Sequence, residues 1–479
     1  MKKKILYTAL VLLSVIAILA PLAMLILETV KLETRYSNTF YGALDEKYER
    51  LTSIEEDKIV VVGGSSVAFG IDSELIEKYT GMPVVNFGLY ADIGTKFMLD
   101  LSRSGIKDGD IVIVAPELDE QTLSLYFGAE SVLKASDENL SMVSEARGED
   151  DLLALLGSLW NFNSEKIETL EGEMPNPEGI YNAKNFNKYG DIDRTKVKRL
   201  RNIMRTYYDK NKPVLLDSSI VSAEFIDYLN EYIAYCEGVG ATVYFAFCPV
   251  NDLSLKEESD VKAFEKFIKD SLECKILGTL KASIIDSHYF YDTNFHLNDA
   301  GVRLHTVDMI NDLLLALGDM ETVVEEEIPE APEYMYDVFY TGARDENDRY
   351  FTYTFDVGYV ITGLTEEGKQ MEELTVPLGY DGYRVTEINT DIFAGSNCKK
   401  LIIPENTNVG VISGNFLGAE NLRELWIYKF EESELTPPSS FGNLSPERFS
   451  IFVPSGSNYQ NGYSWEKSSD FIKEIKEET

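Results

Sequence analysis

Only three histidines occur in the chain, His288, His296 and His305, so a hydroxyl nucleophile in this protein has few bases to choose from. His296 stands in FYDTNFHLNDAG, with Asp292 four residues upstream. An aspartate so placed can hold an imidazole in one tautomer while the other ring nitrogen takes a proton from an alcohol. The alcohol is offered by GGSSVAFG, Gly63 to Gly70, where an apolar run ends in two glycines and two serines. Ser66 is the candidate nucleophile, His296 the candidate base and Asp292 the group that orients it, a set suited to acyl transfer through a covalent intermediate. The loop is not a P-loop, because no Lys-Ser/Thr follows, and it lacks the G-x-G-x-x-G spacing of a dinucleotide site. The plainer reading is that Ser66 satisfies turn N–H groups and His296 caps a helix or binds backbone. Either residue alone fits that reading; both together, in strand-end loops of one domain, favour a site. His288 in IIDSHYF, with Asp286, is a competing base, and His305 reads as a packed or surface residue of the last helix. No grouping with histidine has metal-ligand spacing, so neither a metal nor another cofactor is expected.

These residues need a scaffold. From Lys58 to about Gly318, short apolar runs alternate with amphipathic stretches. KIVVVGG, PVVNFGL, DIVIVAPE and ATVYFAFCPV read as strands, and SIIDS as a fifth. They are continuous apolar runs, as expected of parallel strands covered on both faces. Helices are expected after Asp72, around Thr95–Arg103, around Ala223–Glu237 and after a cap near Asn298 or Asp299. The alternation predicts an α/β fold, a flavodoxin-like doubly wound parallel sheet, with sites at the carboxyl ends of its strands. Gly64 is expected to let the chain turn and Gly70 to allow a close approach. Ser124–Lys212 has weak signals and reads as an insertion of helices and loops near that edge.

The blocks resemble those of the SGNH, or GDSL-like, hydrolases, over about residues 58–318, in the branch that includes membrane-attached glycan O-acyltransferases and esterases. GSSVAFG is similar to the block G-D-S-x-x-x-G, with Ser66 at the nucleophile and Gly64 and Gly70 at the glycines. NFG resembles the second block, and the resemblance places the Gly88 N–H beside that of Ser66 in an oxyanion hole. DTNFHLN resembles the terminal block carrying Asp292 and His296, and FCPVND the segment at strand four. Two departures stand out. The Asp-to-His spacing is four where the family has three, and Glu117 and Asp119 stand where its third block has an asparagine. A carboxylate there repels a developing oxyanion unless it is protonated. Asn86 and Asn251 are alternative donors. The resemblance implies a serine esterase or O-acyltransferase acting on an acylated envelope glycan without a cofactor.

The rest of the chain sets its context. Ile5 to Leu27 carries no charge over 23 residues, enough at about 1.5 Å per residue to cross a bilayer core of roughly 30 Å. Lys2, Lys3 and Lys4 precede it, which leaves the N-terminus cytoplasmic and the bulk of the chain outside the cell membrane. A cleaved signal peptide is the competing reading. The expected organisation is a lysine cluster and anchor at 1–28, a stalk at 29–57, the α/β domain at 58–318, an acidic linker at 319–333 and a repeat domain at 334–479. In the last, Ile388 and Ile412, and Ile403 and Ile427, recur at 24 residues, predicting a β-rich solenoid. ITGL, LTVP and LIIP resemble BspA-like leucine-rich repeats over about 358–465, which implies a binding or spacing module with a protein or glycan ligand. With 81 acidic against 44 basic side chains, the net charge of −37 excludes a nucleic-acid partner and argues against electrostatic docking on anionic lipid. Cys236, Cys248, Cys274 and Cys398 form no CxxC pair; buried free thiols are the simplest reading, beside one or two disulfides. The alternative function is a surface adhesin whose α/β domain is an inactive scaffold.

Overall fold

The computed structural model describes residues 17, 19–170, 175–177, 179–204, 206–334, 342, 344–355, 358–430, 435–459 and 463–475. They divide into two units: residues 1–202 with 208–333, and residues 334–479 with 203–207. Most of the apolar stretch from Ile5 lies outside the described residues; its end belongs to a helix over residues 19–31, α1. Among the described residues no helix is long and apolar enough to cross a membrane. The expected transmembrane helix is therefore without support from them.

The first unit is mixed α/β. Its elements are α2 (Ala43–Ser53), β1 (Ile59–Gly63), α3 (Ser65–Gly70), α4 (Ser73–Thr80), β2 (Val84–Gly88), α5 (Thr95–Ser102), β3 (Ile111–Ala115), α6 (Ala129–Ala135), α7 (Glu149–Leu170), α8 (Ala223–Gly238), β4 (Thr242–Ala246), β5 (Val250–Asn251), α9 (Val261–Ser271), β6 (Lys275–Leu277), α10 (Leu280–Ser283), β7 (Ile284–Ile285) and α11 (Asp299–Leu317). The main sheet runs β2-β1-β3-β4-β6, every pair parallel. The four expected strands are present, but the fifth is Lys275–Leu277. SIIDS contributes only Ile284–Ile285, paired with Val250–Asn251 in a separate two-stranded sheet. An edge strand has one covered flank and tolerates a lysine, so it lacks the apolar run that marks its neighbours.

Alternation along buried strands explains why both faces are covered. Ile59, Val61, Ile111 and Ile113 pack with Ile76 of α4 and Ile310 and Leu313 of α11. Val60, Val62, Val112 and Val114 face the other way, with Leu44 and Leu51 of α2, Phe97 of α5 and Tyr232 of α8. Within the segment read as a stalk, α2 covers one face of the sheet. The acidic linker is also held down: Glu326 pairs with Lys78 and Arg303 at 2.6 and 3.1 Å, and the Tyr289 hydroxyl donates to Pro329 O. All four cysteines are free.

The second unit is β-rich. Strands at 373–375, 400–403, 424–427, 450–453 and 472–474 form one parallel ladder, and those at 359–364, 383–389 and 411–413 another. Lys400 lies opposite Glu424 and Ile388 opposite Ile412, so the 24-residue recurrence is the pairing register. Leu374, Leu401, Leu425, Ile451 and Ile472 consequently stack in one buried column. A recurring apolar position is what such a column requires, because each unit buries its aliphatic side chain on the next.

Asn298 ends the loop that carries His296. Its Oδ1 accepts the Gly301 N–H at the start of α11, and its amide donates to His288 O and Phe290 O at 2.7 and 2.9 Å. Asn298→Ala removes the cap and leaves two carbonyls unpaired, and is expected to cost about 2 kcal/mol. Urea unfolding of the first unit measures it; an unchanged midpoint would refute this role.

Candidate active site

β1 ends at Gly63 and the chain passes through Gly64 directly into α3, so Ser65 is the first helical residue. Its Oγ lies 2.8 Å from His296 Nε2. His296 Nδ1 lies 2.8 Å from Asp292 Oδ1, the geometry in which Nδ1 donates to the carboxylate and Nε2 faces the alcohol. The expected nucleophile, Ser66, is not brought to the imidazole. One residue along a helix is a rotation of about 100°, and the Ser66 Oγ is buried with no hydrogen-bond partner among the described residues. The structure therefore brings His296 together with Asp292 as expected, and places Ser65 rather than Ser66 beside the imidazole.

Asp292 has a second partner that no sequence signal indicated. The Tyr181 hydroxyl, from the long insertion, donates to Asp292 Oδ2 at 2.6 Å. Burial by itself raises the Asp292 pKa, but the His296 charge and the bonds from His296 and Tyr181 outweigh it and hold the carboxyl below its ordinary value. Burial and then the Asp292 charge push the Tyr181 hydroxyl well up, so it stays a donor. The His296 ring stacks on Phe69, centroids 3.9 Å apart and planes 7° apart. Phe69 lies on α3, so a single short element positions both the hydroxyl and the imidazole.

Arg199 joins the two loops. Its Nη1 donates to Phe69 O at 2.9 Å and to Leu297 O at 3.2 Å, one carbonyl on α3 and one next to His296. Its Nε lies 3.3 Å from Asp299 Oδ1, an ion pair without hydrogen-bond geometry. The planar guanidinium also lies over the Phe69 ring at 5.4 Å.

Glu117, two residues beyond β3, brings a carboxyl to the same point. Its Oε1 is 2.9 Å from Ser65 Oγ and 2.8 Å from the Ser66 amide nitrogen. Gly64 makes room for it, since a Cβ there would sit 2.9 Å from that oxygen. This, rather than a special turn conformation, is what Gly64 supplies. Burial raises the Glu117 pKa; the His296 charge opposes the rise, Asp119 adds to it, and the bonds from Ser66 and Ser65 oppose it. A hydroxyl carries one proton, so Ser65 cannot donate to both neighbours. Either Glu117 is protonated and donates to Ser65, which donates to His296, or Glu117 is ionised and His296 is an imidazolium. The two arrangements hold the same number of protons and differ by transfer through the Ser65 hydroxyl.

The amides expected to form an oxyanion hole are engaged. Ser66 N–H donates to Glu117, and Gly88 N–H to Asn86 Oδ1 at 3.1 Å. The Asn86 amide is committed to Val67 O and Asp191 Oδ1 at 3.0 and 2.8 Å, and Asn251 Oδ1 accepts the Leu253 N–H. Of the other histidines, His288 pairs with Asp286 at 2.6 Å on a half-exposed turn. His305 is packed in α11, where its Nδ1 lies 2.9 Å from Gly70 O and burial lowers its pKa. Gly70 itself is not crowded; the nearest atom to a Cβ there would be 3.7 Å away.

Ser65 and His296 open onto a cavity of about 750 Å³ walled by Tyr90, Tyr181 and Phe295, with Asp119, Lys212 and Lys256 among its polar residues. Among the described residues no cluster of His, Cys, Asp or Glu could hold a metal ion. No protein-family model matches the chain, and no curated protein matches it significantly.

Arg199→Met keeps much of the side-chain volume but removes both carbonyl contacts and the counter-charge of Asp299. Breaking a buried pair on one side is expected to cost about 3 kcal/mol. Arg199→Lys should recover little of it, since an ammonium cannot reproduce the planar fork. Denaturant unfolding measures both; a cost under roughly 1 kcal/mol, the range of an exposed pair, would contradict the linking role.

Proposed function

We propose that the protein is a serine ester hydrolase or O-acyltransferase acting on an acylated glycan of the cell envelope. The observation that carries this reading is the unbroken chain Asp292–His296–Ser65 facing a cavity large enough for a sugar-sized group. Ser65 Oγ attacks the acyl carbonyl while His296 Nε2 takes its proton; Asp292, held by Tyr181, stabilises the imidazolium. Collapse of the tetrahedral intermediate breaks the ester C–O bond, and His296 returns the proton to the leaving oxygen. Water then releases the acyl group as acid, or a sugar hydroxyl accepts it. No cofactor enters this scheme.

Glu117 takes the place of an oxyanion donor when it is protonated, its O–H turning from Ser65 Oγ to the carbonyl oxygen that develops charge beside it. Ionised, it repels that oxygen. The parallel order of the main sheet and a site at its carboxyl edge support an SGNH-type α/β domain. The 24-residue pairing register supports a leucine-rich-repeat module that binds or spaces, and the uncharged stretch from Ile5 supports a single-pass anchor with the bulk of the chain extracellular. The second reading, an adhesin with an inactive α/β domain, is favoured by one observation, that the Ser66 and Gly88 amides are already engaged.

A fluorophosphonate distinguishes the two. It is expected to label the wild type and Ser66→Ala, and to leave Ser65→Ala and His296→Ala unlabelled. A folded wild type that stays unlabelled supports the adhesin. Labelling lost in Ser66→Ala but kept in Ser65→Ala reverses the assignment of the nucleophile.

The rate of that labelling also reports Glu117. Since its folded pKa is raised, the neutral form persists above the ordinary carboxyl range and is lost as pH rises through the raised value. Wild-type labelling should fall over that interval, and Glu117→Gln, neutral at every pH, should show no such fall. Superimposable profiles would remove Glu117 from the proposed chemistry.

A further inference from the structure

Helix α7 turns an apolar stripe to the outside. Leu152, Leu153, Trp160 and Ile167 are 47, 64, 67 and 42% exposed. At about 100° per residue they fall within roughly a third of the helix circumference. The adjoining face carries Leu155, Leu159 and Phe162, all buried in the core of the first unit. The helix thus has two apolar faces and covers one. From Leu152 to Ser164 it carries no charged residue, in a chain with 81 acidic side chains. Water is a poor solvent for such a patch, and exposed apolar patches of this kind mark contact surfaces.

What lies beside the stripe indicates what covers it. Asn163 Nδ2 donates to Leu25 O at 3.2 Å and Lys166 Nζ to Leu32 O at 3.3 Å, which ties α7 to α1 and to the residue that follows it. α1 exposes Met24, Leu27 and Val30 at 69, 56 and 65%. The sequence entering α1 is uncharged from Ile5 onward. We propose that α7 is an interfacial helix, its Trp160 stripe seated in the headgroup and upper acyl region of the bilayer that holds the N-terminal stretch. The inference rests on the anchored reading above. Its 22 residues suit a helix lying in the interface plane, and tryptophan is the residue that favours that boundary. The net charge of −37 opposes attachment by electrostatics, but the stripe uses none, so a neutral lipid suffices.

The test uses the full chain reconstituted in phosphatidylcholine vesicles, with and without bromine on the acyl chains. The other two tryptophans are less exposed, Trp465 being buried and Trp426 half-buried, and Trp160→Phe identifies their share of the emission. Trp160 emission is expected to shift to the blue on reconstitution and to be quenched by the brominated lipid. Leu153→Glu, which places a charge in the stripe, is expected to reduce the quenching while the protein still floats with the vesicles after carbonate washing. Flotation reports the anchor and quenching reports α7. A protein that floats but whose Trp160 is unquenched overturns this inference and leaves the anchor standing. A protein that does not float overturns both. Chains that cross-link to one another through position 160 assign the stripe to a second copy instead, which also overturns it.

Discussion

The hydrogen bond between Ser65 and His296 joins residues 231 apart in the sequence, one at the loop-to-helix junction after Gly64 and the other on the loop before α11. Neither loop could hold its side chain within bonding distance unaided, because ordering two separate segments costs backbone and rotamer entropy that one bond does not recover. The parallel sheet removes most of that cost. β1 delivers Ser65 at its carboxyl end as the chain turns into α3, and the start of α11 delivers the histidine loop, both on packing that is complete without the site. Arg199 then links the carbonyls of Phe69 and Leu297. Phe69 provides the face on which the imidazole rests. The site is in this sense a consequence of two layers of helices closing on one sheet.

The same closeness creates the electrostatic feature that sets this site apart. Glu117 is buried within bonding distance of the hydroxyl and of the amide beside it. A buried carboxylate is stable only when paired or hydrogen-bonded, and here its partners are the components of the relay. Three protons shared among Glu117, Ser65 and His296 satisfy every contact, and burial raises the Glu117 pKa against the opposing His296 charge. One residue thereby ties the protonation of the site to the donors that an oxyanion would need. The proposed esterase and the proposed inert scaffold differ in how that carboxyl behaves when an acyl group arrives, not in the arrangement of Asp292, His296 and Ser65.

Much of this was legible in the sequence where a physical rule acts locally. Val60, Val112 and Val243 lie in continuous apolar runs because parallel strands are buried on both sides, and those runs mark β1, β3 and β4 correctly. Asp72 and Asn298 cap helices because short polar side chains satisfy the first free N–H groups. The 24-residue recurrence in the second unit is visible because stacked units reuse one inward position. Legibility failed where the neighbour is distant. Lys275–Leu277 is an edge strand and has no apolar signature. Tyr181 and Arg199 lie in a stretch without periodicity, and nothing adjacent to them indicates that one meets Asp292 and the other bridges two loops. Leu44 and Leu51 resemble any amphipathic stalk until the sheet they cover is known.

The sequence by itself determined which residue types could do the chemistry and in which loops they stand, since strand ends, caps and the pairing of Asp292 with His296 depend on spacings of a few residues. Tertiary structure alone decided that Ser65 rather than Ser66 faces the imidazole, that Glu117 occupies the Ser66 amide, and that Tyr181 and Arg199 belong to the site. Adjacent serines are chemically identical, and their directions differ only through the helical rotation that begins at Gly64. That rotation is settled by how Val67 of α3 packs against Gly88 of β2, a contact that short-range rules do not contain.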